Sequence, residues 1–220
     1  MKAWIEEDNI NYEYIIRYLR DTIPKSEGLI LEMEEYAKKY EVPISQPESI
    51  RFVEVLLKIA GAKKILELGT AIGYSAIRMT KACGASVTTV EISEDMAQIA
   101  RGNFEKAGVK DKVTLLVGDA REVISDMDGE ELFDVIFVDA AKGQYMEFFP
   151  HCERLLKKGG ILISDNVLYK GMTANDELVV RRKITIVRRL RNYLEMLKNN
   201  KSFSTALLPI GDGVALSFKE

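Results

Sequence analysis

Apolar residues recur at two different spacings along this chain, and the change falls near residue 62. Before it, Ile10, Tyr14, Ile15 and Leu19 follow helical periodicity. A second helix begins at Ser26 and Glu27, carries Leu29, Met33 and Tyr36, and ends near Tyr40. The segment 42–47 reads as extended, because Pro43 and Pro47 each restrict the preceding residue. A third helix places Ile50, Val53, Leu56, Leu57 and Ala60 on one face and closes at Gly61. From Lys64 onward the pattern becomes short apolar runs, at 65–68, 87–90, 113–117, 135–138 and 161–164. Helical stretches at 74–82, 94–107, 120–127 and 145–156 separate them, the last stopped by Gly159 and Gly160. Near-continuous apolar strands with helical crossovers predict a parallel sheet covered on both faces, an α/β class. A long helix is predicted over 177–199. Two closing runs, 202–208 and 214–218, are joined by only five residues, which predicts an antiparallel hairpin at a sheet edge. The chain reads as one domain over 1–220, with a helical cap at 1–61 and a core at 62–220.

Composition narrows the class only a little. With 47% hydrophobic residues, the chain can bury a large core. No apolar run approaches a membrane span, and the acidic N-terminus lacks the apolar stretch of a signal peptide. A cytoplasmic protein with no membrane partner is the expectation. Cys83 and Cys152 have no metal-type spacing and form no disulfide framework. The net charge of −3 predicts no general affinity for nucleic acid but leaves room for a local basic face. The single histidine, His151, excludes any mechanism that needs a histidine pair and any histidine-rich zinc site. It reads as structural or solvated.

The chemistry lies in acidic residues at strand ends. Glu67, Glu91, Asp119, Asp139 and Asp165 each close or follow one apolar run. Carboxylates at the ends of buried strands are costly to desolvate without a partner, and in a parallel sheet they converge on the ligand-binding rim. Glu67 precedes Gly69-Thr70-Ala71-Ile72-Gly73, whose glycines allow backbone to approach a ligand closely. This is not the dinucleotide fingerprint, which disfavours a pyrophosphate-binding dehydrogenase. Glu67 suits a cationic ligand portion, and Glu91 suits two ribose hydroxyls. Gly118, Asp119 and Ala120 suit a purine, with Asp119 taking its exocyclic amine. Adenosine with a charged amino-acid tail describes S-adenosylmethionine. The plainer alternative is a tight turn with helix-capping carboxylates. Asp139, Asp165 and Asn166 offer three oxygen ligands, which suit Mg²⁺, Mn²⁺ or Ca²⁺.

The segments ILELGTAIGYSA, VEIS, GDA, FVDAAKGQY, SDNVLYKG and PIGDGVAL resemble the cation-dependent O-methyltransferases of the catechol and caffeoyl-CoA type, over residues 40–218. The resemblance implies a Rossmann-like class I S-adenosylmethionine methyltransferase fold, seven-stranded with strand seven antiparallel. It implies cofactor contacts at Val42, Ile44, Thr70, Tyr74, Ser75 and Ile92 beside those already named, and at Asp139. It implies a cation on Asp139, Asp165 and Asn166, and a catalytic base at Lys142, whose pKa a nearby cation and partial burial would lower. Tyr145 is left between packing and function, and Asp212 between a turn role and substrate contact. DAAKGQY, DNVLYKG, RRKI and PIGDG look most like the bacterial members that methylate 5-hydroxyuridine at the tRNA wobble position. That implies an anticodon loop as partner. Arg181, Arg182, Lys183, Arg188, Arg189 and Arg191 on the predicted long helix would track its phosphates, or else form a solvated face. A small catechol-like phenol is the alternative acceptor, and a non-catalytic cofactor-binding protein is a third reading. Family members are often dimers, so a homodimer is implied.

Overall fold

In the computed structural model, which describes residues 10–130 and 132–220, β1 (Lys64–Leu68) is the hub of the sheet. It pairs in parallel with β2 (Ser86–Glu91) on one side and β4 (Phe133–Val138) on the other. Beyond β2 lies β3 (Val113–Val117), and beyond β4 lies β5 (Leu156–Ser164), both parallel. β7 (Val214–Lys219) runs antiparallel to β5, and β6 (Phe203–Leu208) forms the edge, giving the order β3-β2-β1-β4-β5-β7-β6. The chain therefore leaves β1 in one direction and later returns to its other side at β4. Such a reversal opens a crevice at the carboxyl ends of the two strands.

Period-2 alternation explains how the strands bury both faces. Ile65 joins one core with Ile50, Leu57, Ile72 and Ile77, under α3 (Pro47–Ala60), α4 (Tyr74–Cys83) and α5 (Glu94–Ala107). Leu66 and Leu68 join the other, with Phe148, Leu155, Leu190 and Tyr193. That second core is covered by α6 (Ala120–Ser125), α7 (Tyr145–Leu155) and α8 (Ile184–Asn199). Each fully buried Leu or Ile contributes about 1.5–3 kcal/mol. Two helices, α1 (Glu13–Thr22) and α2 (Gly28–Tyr40), precede α3, and α2 adds Met33 and Ala37 to the first core. Part of the first predicted helix starts outside α1, whose N-cap is Tyr12.

Two boundaries differ from the sequence reading. β5 begins at Leu156 and runs through Gly159 and Gly160, where the glycine pair predicts a helix stop. The two glycines absorb a register shift between Phe133 and Val135, with φ +73° at Gly159. The long helix starts at Ile184 rather than 177. Two single 3-10 turns, Asp176–Leu178 and Arg181–Lys183, precede it, separated by Val179 and Val180 in extended backbone. Arg191 of α8 folds this stretch back, donating to the Thr173 and Met172 carbonyls and pairing with Asp176 at 2.6 Å.

Candidate active site

The crevice is a cavity of about 580 Å³ over the ends of β1, β2 and β4. Its floor depends on Gly69. A Cβ there would collide with the backbone carbonyl of Asp139, so only glycine lets the β1 turn pass the end of β4. Ala71 follows with φ +46°, and Asn166 lies across the cavity at φ +57°. Both are non-glycine residues in the left-handed region, and such strained positions cluster at functional sites.

Most of the predicted cofactor residues line this cavity. Val42 and Ile44 cover it from the 42–46 segment, and Gly69, Thr70, Tyr74 and Ser75 form the β1–α4 side. Glu91 and Ile92 stand at the end of β2, with Gly118, Asp119 and Ala120 beyond. The Glu91 carboxylate accepts the Ala71 N–H at 2.8 Å and the Ser93 N–H at 2.9 Å, which fixes its direction while leaving lone pairs open. Asp119 caps α6 and is gripped by Arg121 through two side-chain bonds of 3.0 and 2.6 Å. The Arg121 guanidinium holds its carboxyl down to about 2. Asp119 is thus a capping carboxylate at the cavity wall, already occupied by a cation.

Glu67 and Gly73 are placed differently from the sequence reading, because neither lines the cavity. Glu67 shares its face of β1 with Ile65 and is fully buried. Its Oε2 accepts the Thr89 hydroxyl at 2.5 Å, while among the described residues Oε1 has no hydrogen-bond partner. Burial pushes the carboxyl up to about 8, although the Ser75 and Thr89 hydroxyls pull the other way. Gly73 serves packing: at φ +85°, a Cβ would stand 2.6 Å from the Phe104 ring of α5. Gly73→Ala is therefore expected to cost about 1–3 kcal/mol in urea unfolding.

The acidic end of the cavity is built from β4 and β5. Asp139 follows β4, with its N–H donating to the Leu68 carbonyl, and Asp165 follows β5, with its N–H donating to the Val138 carbonyl. Those ladder bonds set the two carboxylates side by side. Burial raises both above the usual carboxylate range, and Asp139 raises Asp165 further. Asp165 Oδ1 accepts the Asn166 N–H at 2.7 Å, and among the described residues its buried Oδ2 has no partner. Asp165 lies just beneath the lining, whereas Asp139 and Asn166 are on it. Among the described residues no group of three or more His, Cys, Asp or Glu side chains could hold a metal. The donor set is two carboxylates and one carboxamide. Its orphaned oxygen and two buried carboxyls fit a hard cation.

Lys142 lines the same end, half-buried, on the 3-10 turn Lys142–Gln144, and its charge offsets that of both aspartates. Arg189 of α8 donates to the Gly143 carbonyl at 3.0 Å and so anchors this turn. Tyr145 packs: its hydroxyl donates to the Asp165 carbonyl at 2.8 Å, and its ring meets Tyr193 edge-on. Asp212 lines the cavity and also holds the 167–170 loop, accepting the Lys170 N–H. Sequence reasoning missed Met96 and Phe148, apolar wall residues with no polar signature. It also missed that Ser45 donates to Asp139 Oδ2 at 3.1 Å, a bond spanning 94 residues.

A family model described as O-methyltransferase matches residues 26–220. A catechol O-methyltransferase of Niastella koreensis is 28% identical over 221 residues, covering 96% of this chain and 98% of that protein. A solved structure of a putative caffeoyl-CoA O-methyltransferase from Staphylococcus aureus is 34% identical, with a TM-score of 0.87 over 94% of this chain and 100% of that one. An O-methyltransferase from Bacillus cereus, solved in complex with SAH, is 28% identical with a TM-score of 0.83, over 94% and 97% of the two chains. With the model spanning nearly nine-tenths of its length, and a seven-stranded sheet with an antiparallel edge to match, this chain belongs to the O-methyltransferase family.

Proposed function

We propose that this protein transfers a methyl group from S-adenosylmethionine to a hydroxyl oxygen, with a divalent cation at the acceptor end of the cavity. The observation that carries this reading is the division of one cavity into two ends. Glu91 stands at the end suited to a ribose, and Asp139, Asn166 and Lys142 stand at the other. Mg²⁺, Mn²⁺ or Ca²⁺ on Asp139, Asp165 and Asn166 would supply charge to stabilise an acceptor oxyanion. The chain's own part is then positional and acid–base. The 42–46 segment covers the cofactor, and Ser45 fixes Asp139. Lys142 takes the acceptor's hydroxyl proton as the oxygen attacks the sulfonium methyl. Holding the two reactants in line accounts for several kcal/mol, on the order of 7 in favourable cases.

The acceptor we favour is the 5-hydroxyuridine of a tRNA anticodon loop, whose unpaired base can enter a pocket without melting a helix. A second hollow of about 500 Å³ supports this. It is lined by Tyr169, Lys170, Met172, Arg182 and Lys183, with the Lys183 ammonium 5.6 Å from the Tyr169 ring centroid. It adjoins the cavity through the contact of Lys170 with Asp212. The six basic residues of the sequence reading do not form one helix stripe. Arg189 and Arg191 are spent on local contacts, and Arg181–Lys183 precede α8. The names of the relatives, catechol and caffeoyl-CoA methyltransferases, favour a small phenol as the second reading. Labelled S-adenosylmethionine with both acceptors in one reaction separates them: tRNA labelling supports the first, and catechol labelling alone supports the second.

A homodimer is part of this proposal. On and beside α1, Tyr12, Tyr14 and Tyr18 are each at least 65% exposed, an apolar surface suited to a second copy. Light scattering is expected to give twice the chain mass; a monomer would contradict it. Among the described residues no helix is long and apolar enough to cross a membrane.

A further inference from the structure

A separate hollow of about 330 Å³ lies between the α1–α2 connection, α3 and α4. Its charged lining is Lys25, Arg51, Lys58, Arg78 and Lys81 against only Glu27 and Glu54. Five cations facing two carboxylates is an unusual concentration in a chain whose net charge is −3. A negatively charged group entering the hollow would meet this excess of positive charge.

The internal ion pairs leave most of that charge unmatched. Glu54 is taken by Arg78 at 2.6 Å and by Arg51 at 3.1 Å. Among the described residues, Lys25, Lys58 and Lys81 have no carboxylate within 4 Å. Arg78 is the most buried of the five, with its side chain 12% exposed. Its Nε donates to Glu54 and its Nη1 to the Tyr74 hydroxyl, while its Nη2 takes no hydrogen bond among the described residues. Arg78 is therefore held rigidly by two bonds with a free donor remaining, and a guanidinium so fixed matches the oxygens of a phosphate.

We propose that this hollow is a binding site for a phosphate-class oxyanion, separate from the methyl-transfer cavity. Arg78 would provide the oriented contact, and Lys25, Lys58 and Lys81 the charge. A pyrophosphate group carries negative charge that complements this lining. The same chemistry is presented by a free phosphate compound and by the backbone of a nucleic acid.

Inorganic pyrophosphate titrated calorimetrically into the full chain, at about 0.1 M ionic strength to screen diffuse attraction, tests this. One saturable site per chain is expected. Lys58→Gln combined with Lys81→Gln should weaken it at least tenfold; both residues are exposed, so the fold is kept. Lys198→Gln combined with Lys201→Gln, exposed lysines elsewhere, should leave it unchanged. Arg78 is spared because its partner Tyr74 lines the methyl-transfer cavity. Displacement of bound pyrophosphate by a 5′-phosphorylated single-stranded oligonucleotide would assign the site to a nucleic-acid phosphate. Retention would assign it to a free one. Absence of saturable binding, or equal loss in both double variants, would overturn the proposal.

Discussion

Lys142→Met is expected to lower kcat for methyl transfer by about 10²- to 10⁴-fold, the usual contribution of a positioned general base. The replacement keeps the length and much of the apolar stem while removing the amine. Lys142 stands on a 3-10 turn that Arg189 anchors, so the loop keeps its shape in the variant. Affinity for the demethylated cofactor should change little, since Glu91 and the β1–α4 turn stand at the other end of the cavity. Loss of rate with unchanged cofactor affinity is the signature of a group acting on the acceptor. A variant that retains wild-type kcat would remove Lys142 as the base. The only histidine cannot replace it: His151 lies within α7, and the cavity lining does not include it.

The second large effect concerns stability and pH. Glu67 has an ordinary value near 4.5 when exposed and about 8 in the fold, because burial penalises the anion. The folded state therefore holds a proton that the unfolded chain has released between those two values. Stability from this group is fully present below about pH 4.5 and is lost as pH rises to about 8. A shift of that size corresponds to at most about 5 kcal/mol. Glu67→Gln keeps the shape and the polar contact to Thr89 but cannot ionise. In urea unfolding without ligand, the wild type should lose a few kcal/mol more than the variant between pH 5 and pH 8.5. Asp139 and Asp165 are raised as well and will leave some slope in both proteins, so the difference between the two is the reading. Parallel curves for wild type and variant would show that the Glu67 carboxyl is not held neutral.

Much of this architecture was legible because strand periodicity and glycine placement are local. The first four parallel strands, the C-terminal half of β5, the antiparallel hairpin and the helix 94–107 lie where the apolar pattern puts them. Gly69 could be read as a close-approach glycine, although its neighbour proved to be the Asp139 backbone rather than ligand alone. What sequence could not give was the direction of side chains at the rim. Glu67 turns into the core because its place in the β1 alternation matches Ile65. Asp119 faces a cation only two residues along, which a strand-end pattern does not register. α8 starts later than the periodicity predicts because Arg191 draws residues 172–176 back onto the helix, a tertiary contact that overrides local periodicity. The Ser45 bond to Asp139 joins distant segments, so no spacing in the chain signals it.

Calorimetric titration of S-adenosylhomocysteine into the wild type and Glu91→Ala tests the central claim most directly. One molecule should bind per chain, and the variant should bind at least about tenfold more weakly, the loss of charge-assisted hydrogen bonds to the ribose. No saturable binding, or equal affinity in both proteins, would contradict the placement of the cofactor in this cavity.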